Sequence, residues 1–213
     1  MFVIRAVTIA REYGSGGSLI AKELASRLGW KLLDRELVLE LAHRAHILPS
    51  KVADLDEHPN TFIARLLRSL ALGGEIAQPT DIVDPDSIAV LSSLIIEEAA
   101  AAGQCVIVGR GAQCVLQDNK DVFHVFVYGS TSEKLKRVRA THAGGQQSEA
   151  SLNCKDNQRA AYIRSYFHRD WTDRHLYNLM ISSDFGIDET VSVISTAAGL
   201  GQQLTTIGPA ASL

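Results

Sequence analysis

The run CVIVG, residues 105 to 109, does most to limit what this chain can fold into. It is short and almost wholly apolar, as expected of a strand covered on both faces, so helices must lie above and below it. The rest of the chain supplies them in alternation. Residues 2 to 9 read as a buried first strand, with Val3, Ile4, Val7 and Ile9 at core positions. A turn over residues 13 to 17 leads into a helix running to about Leu28, where Ile20, Leu24 and Leu28 form one apolar stripe. Lys22, Glu23 and Arg27 lie off that stripe, and Gly29 is placed to cap the helix end. Residues 30 to 33 form a short strand ending at Asp34, and Leu37, Val38 and Leu41 begin another helical stripe.

Between residues 48 and 86 the strand–helix rhythm is lost. Two turn-prone segments there flank a helix carrying Phe62, Ile63, Leu66, Leu67 and Leu70, which reads as a helical insertion. Asp84 and Pro85 then suit a helix start and Gly103 its end. VFHVFVY, residues 122 to 128, is the next strand. Ser130 and Glu133 have capping-box spacing before a helix with Leu135 and Val138. A polar stretch over residues 141 to 153 precedes a helix around residues 156 to 169, then the strand YNLMISS and a last helix from Asp188. Residues 201 to 213 form a tail. Alternation of this kind indicates a three-layer α/β fold with a mostly parallel sheet. With 213 residues, one substantial core is expected.

The first turn bears on chemistry. A full P-loop reads glycine, four free positions, glycine, lysine, then serine or threonine. A window ending on Gly16 puts Arg11 at the first glycine, Gly17 at the lysine and Ser18 at the hydroxyl, so the literal pattern fails. Its geometry can survive, because Gly14, Gly16 and Gly17 reach backbone angles denied to other residues. Their amides, with those of Ser15, Ser18 and Leu19 beside the helix start, can converge on an anion. Arg11 could supply the missing charge by folding across the turn; Lys22 lies a turn into the helix. The alternative is an anion-free tight turn.

Gly109-Arg110-Gly111 follows CVIV, where a strand's C-terminal edge can share a crevice with the first turn. Arg110 could make a two-point phosphate contact, with its flanking glycines leaving room for backbone and ligand; a structural ion pair is the alternative. Asp156, Arg159, Arg164 and Arg169 form a third group, either closing over a transferring phosphoryl group or decorating an outward helix face. Asp34 could orient a substrate group or cap a helix.

In this order the strand–glycine turn–helix, VIVGRGA (residues 106 to 112), LLDREL (32 to 37), DNQRAAYIRSYF and YNLMISSD resemble the cytidylate kinase-like family of P-loop nucleoside-monophosphate kinases, over about residues 3 to 195. The resemblance implies a five-stranded parallel sheet of order 2-3-1-4-5 with a basic lid, at about residues 141 to 170, and an acceptor-side insertion at 48 to 86. It implies transfer of the terminal phosphoryl group of ATP to CMP or a related nucleoside monophosphate, with Mg2+. On this template residues 14 to 19 cradle the donor, with Ser18 a candidate Mg2+ ligand. Arg110 contacts the acceptor phosphate, Asp34 lies on the acceptor side, Arg159 is a lid arginine assisted by Arg164, and Asp156 supports the lid. Two departures stand out: Gly17 replaces the lysine, and Gly111 stands where ordinary cytidylate kinases carry Asp. A catalytically impaired nucleotide-binding protein, or a kinase for another small acceptor, are the competing readings.

Other signals are weaker. A net charge of −3 argues against bulk nucleic-acid binding, and no apolar run is long enough to span a membrane. Cys105, Cys114 and Cys154 contain no Cys-x-x-Cys pair, which points to reduced thiols in a cytoplasmic protein. A homo-oligomer stays open. The seven histidines make no convincing metal set, His124 reads as a core residue, and Tyr166, Phe167 and Trp171 read as packing groups.

Overall fold

The computed structural model describes residues 3–34, 85–141 and 148–201, and of residues 85–88 the backbone alone. The helical stripe from Leu37, the insertion expected over 48 to 86 as far as residue 84, residues 142–147 and the tail beyond 201 lie outside the described residues. The elements in chain order are β1 (Ala6–Arg11), α1 (Gly17–Leu28), β2 (Lys31–Leu33), α2 (Pro85–Ala102), β3 (Cys105–Val108), α3 (Ala112–Val115), β4 (Val122–Tyr128), α4 (Thr131–Thr141), α5 (Glu149–Phe167), β5 (Leu179–Ser182) and α6 (Ile187–Ala197). The five strands form one parallel sheet in the order β2-β3-β1-β4-β5, as the family resemblance implied.

Alternation along the strands sorts the core into two layers. Val7, Ile9, Val106, Val108, Val125 and Val127 meet Ile20, Leu24 and Leu28 of α1 and Val191 and Ile194 of α6. On the opposite face Ala6, Cys105 and Ile107 pack on Ile95, Ile96 and Ala99 of α2. Farther along that face Ala10 and Phe126 meet Ile163 of α5 and Trp171, whose ring lies edge-on to Phe126 at 5.4 Å. CVIV is thus covered on both sides, and all four of its residues are buried. His124 is a core residue. Its Nε2 lies 3.3 Å from the Leu116 carbonyl and its Nδ1 2.7 Å from Thr8 Oγ1, and burial pushes its pKa down. A neutral ring therefore donates from Nε2 and accepts at Nδ1.

Several boundaries differ from the sequence expectation. The first strand starts at Ala6, not residue 2, and Val3 is 69% exposed. Pairing with β3 and β4 begins only at Ala6, and Arg5 reaches away from the sheet to the carbonyls of Ala101 and Ala102 at the end of α2. The strand instead extends to Arg11, which pairs with Val127 and brings that arginine to the sheet's C-terminal edge. The helix expected from residue 156 starts at Glu149, because Ser148 and Ser151 cap each other's backbone amides reciprocally. At α4 only half of the expected capping box forms. Ser130 Oγ accepts from the Glu133 amide, while the Ser130 amide donates to the Asp184 carboxylate. On the same helix Lys134 is buried alongside Val138, and Leu135 is only half-buried. The three cysteines are free, and burial raises Cys105 and Cys114 to about 11. Among the described residues no helix is long and apolar enough to cross a membrane.

Candidate active site

The turn after β1 is shaped by what packs behind it. Gly14 (φ +81°) and Gly16 (φ +78°) take left-handed conformations. A Cβ on Gly14 would sit 2.9 Å from both the Lys134 carbonyl and a Val138 methyl, so α4 presses directly on the loop. Lys134 Nζ binds Glu12 Oε2 at 2.9 Å, and Arg137 donates to the carbonyls of Ser15 and Ser183. Ser15 is fully buried, with its amide and hydroxyl both directed to the Glu12 carbonyl. Both groups hold the turn, including the amide expected in the donor cradle. Gly16 is the N-cap of α1 and offers no capping side chain. The first-turn amides of Gly17, Ser18 and Leu19 therefore have the geometry of an anion site at a helix N-terminus, and Ser18 and Leu19 are exposed there.

Beside this turn a cavity of about 470 Å³ opens at the C-terminal edge of the sheet. Arg11 from β1, Arg110 from the turn after β3 and Arg159 from α5 all line it. Three guanidiniums far apart in sequence thus converge because their elements are neighbours in a parallel sheet and its covering helix. Gly109, Arg110 and Gly111 have φ of 76°, 54° and 73°, three left-handed residues in succession. For Arg110 that conformation costs about 1 kcal/mol or more, so packing has to hold it. Its Nη2 reaches Ser92 Oγ at 3.3 Å, and its guanidinium stacks over Tyr162 at 4.9 Å. Gly109 and Gly111 line the cavity, and side chains pack against them on the sides where a Cβ would stand. A Cβ on Gly109 would collide with Arg11 Nη1, and one on Gly111 with the ring of Phe167.

Helix α5 docks on β1 through a small network. Arg159 Nη1 donates to the Arg11 carbonyl at 2.8 Å and to Asp156 Oδ1 at 3.1 Å, and the same oxygen accepts from the Tyr13 amide at 2.7 Å. The Arg159 guanidinium also lies 5.7 Å from the Tyr13 ring centre. Lys155, Gln158, Arg159, Tyr162 and Ile163 face the cavity at i, i+3, i+4, i+7 and i+8, one stripe of the helix. Arg159 alone among these was expected from sequence. The spacing could have revealed the others, but the stripe mixes charge, amide, aromatic and aliphatic groups, so no apolar period marks it. Asp34 follows β2 at the same sheet edge without lining the cavity, and Arg164 points outward, exposed.

Burial raises the Asp156 carboxyl above its ordinary pKa, against the lowering effects of the Tyr13 amide and Arg159. A carboxyl with a raised folded-state pKa favours the fold while protonated, and that contribution is lost as pH rises through the folded value. Asp156→Asn, which keeps the acceptor oxygen, is expected to melt at or above the wild-type temperature at pH 7. The difference should vanish as pH falls toward about 4, the ordinary carboxylate value. Asp156→Ala strands the Tyr13 amide and is expected to cost about 1–3 kcal/mol. Thermal melts of the three proteins across pH 4 to 8 check both signs.

Mg2+ held with ATP needs few protein ligands, because its coordination is completed by phosphate oxygens and water. The exposed Ser18 hydroxyl, at the head of α1 beside the glycine turn, fits that need. The described residues contain no cluster of three or more acidic, histidine or cysteine ligands that would hold a metal by themselves.

A profile of the cytidylate kinase-like family matches residues 6–184. The crystal structure of an uncharacterized protein from Eubacterium ventriosum ATCC 27560 superposes with a TM-score of 0.66 at 24% identity, covering 92% of this chain and 98% of that one. Shikimate kinase from Bacteroides thetaiotaomicron gives 0.52 at 15% identity over 92% and 99% of the two chains. A gluconokinase from Sinorhizobium meliloti 1021 gives 0.51 at 14% over 97% and 98%. At these identities the likeness is one of fold. The comparison with curated proteins found no match. The profile covers the glycine turn, the Gly109–Gly111 turn, α5 and β5 together, and the chain belongs to the cytidylate kinase-like family of P-loop kinase-like phosphotransferases.

Proposed function

We propose that the protein transfers the terminal phosphoryl group of ATP to the phosphate of a nucleoside monophosphate, CMP in the first place. The observation that carries this reading is the convergence of Arg11, Arg110 and Arg159 on one cavity beside the glycine turn. Transfer between two phosphates asks for position and charge neutralisation more than for a strong base. Amides at the head of α1 hold the donor phosphates, with Arg11 supplying the charge that a lysine at position 17 would bring. Arg110 fixes the acceptor phosphate, and Arg159 closes over the group in transit. The Ser18 hydroxyl would hold Mg2+ brought with ATP, and the ion would neutralise charge on the donor phosphates. The insertion over 48 to 86 serves the acceptor side of this single domain, and the region from 141 to 170 its lid.

A panel of monophosphates incubated with Mg-ATP and the purified protein should give a diphosphate product, CDP foremost, by ion-exchange chromatography. Folded protein that yields none across the panel sinks the assignment. Calorimetric ATP binding without turnover would then favour a nucleotide-binding regulatory role, and a product with a non-nucleotide acceptor would favour another small-molecule kinase.

A further inference from the structure

Two glycines, Gly17 at the head of α1 and Gly109 in the turn after β3, face the same side chain. A Cβ on Gly17 would lie 2.6 Å from Arg11 Cβ and 2.9 Å from its Cγ, and one on Gly109 would strike Arg11 Nη1. The first contact is with the stem of the side chain, which cannot move without the backbone of β1. Gly17 is also the first residue of α1, and its φ is not positive, so no backbone strain calls for glycine there. Alanine is the better helix former. What the position requires is space, and Arg11 occupies it.

We propose that Gly17 is a positioning residue: the side on which its Cβ would stand is a slot that holds the Arg11 stem and directs the guanidinium past Gly109 to the phosphate cavity. This rests on the role given to Arg11 above. The chain has exchanged a lysine on a helix for an arginine on a strand, and the glycine at position 17 is a condition of that exchange. A side chain at 17 and the Arg11 stem exclude each other. The cation becomes part of the sheet, with the planar fork of an arginine where the usual design offers a flexible ammonium.

The test uses inorganic tripolyphosphate with Mg2+ as probe, measured by calorimetry on the full-length protein. Arg11→Gly should weaken binding at least about tenfold, the scale of one charge-assisted contact. Gly17→Ala, which removes no charge, should weaken it as much. The double variant Arg11→Gly/Gly17→Ala should be no worse than Arg11→Gly alone, the non-additivity of residues acting through one group. Arg11→Gly/Gly17→Lys, with the cation moved to the ordinary P-loop position, should recover most of the lost affinity, a rescue that a purely structural glycine would not allow. If Gly17→Ala fails to fold while Arg11→Gly/Gly17→Ala folds, the collision is shown directly. Wild-type affinity in Gly17→Ala, additive losses, a double variant that also fails to fold, or no Arg11-dependent binding would each overturn the slot. Arg11-dependent tripolyphosphate binding in a protein that forms no diphosphate with any acceptor would leave the slot standing and remove the kinase reading alone.

Discussion

Arg159→Ala is expected to lower kcat by about a thousandfold and to leave KM for ATP within about threefold, the pattern of a guanidinium that acts on the transferring group and not on the bound donor. Arg159 is held close to that place: it lines the cavity, and its Nη1 is anchored on the Arg11 carbonyl and Asp156. The same anchoring complicates the variant, since its loss loosens α5 from β1. Each lost hydrogen bond there is worth about 1 kcal/mol, which a melt reads separately from kcat. Arg159→Lys keeps the charge but not the fork, and should regain only part of the rate. Steady-state kinetics with the best monophosphate decide the matter. A kcat reduced by less than about tenfold in a stable Arg159→Ala protein would remove the residue from the transition state.

Arg110→Ala should act on the other substrate. A guanidinium that grips the acceptor phosphate at two points contributes two charge-assisted hydrogen bonds, so its removal should raise acceptor KM by about a hundredfold or more. Arg110→Lys should recover little. The backbone offers a further discriminating variant. Arg110 sits at φ 54° between two left-handed glycines, so Arg110→Gly relieves strain while deleting the cation. That variant should melt no lower than the wild type and still lose acceptor affinity. Substrate titrations beside thermal melts separate the two effects. Unchanged acceptor KM in Arg110→Gly would mean that the arginine is there for Ser92 and Tyr162, not for a ligand.

The sheet was legible because its strands are short apolar runs buried on both faces, a pattern that needs no knowledge of partners. CVIV carries Arg110 to the sheet edge, and Arg110 was readable for that reason. Strand ends were less readable. Nothing in VIRAVTIAR says that pairing starts at Ala6 and reaches Arg11; neighbours across the sheet decide that. Polar groups that serve the turn were less readable too. Nothing in the sequence shows that the Ser15 hydroxyl bonds back to the Glu12 carbonyl of its own turn. Lys134 was passed over because a buried lysine is rare, and its partner Glu12 lies 122 residues away. The α5 stripe through Lys155, Gln158 and Tyr162 was missed because only its spacing, and not its chemistry, is periodic.

Both places where the chain departs from ordinary cytidylate kinases have been taken over by another of its own side chains, Arg11 at Gly17 and Phe167 at Gly111. These substitutions should consequently be inherited as sets. A homologue with arginine at the place of Arg11 ought to retain glycine at the place of 17, whereas one with the standard lysine at 17 should carry glycine at 11, since any other residue there keeps the Cβ that a side chain at 17 would strike. A collected set of homologous sequences in which these two columns vary independently would contradict the mutual exclusion of the two side chains, and a search keyed to the lysine alone would overlook the whole branch.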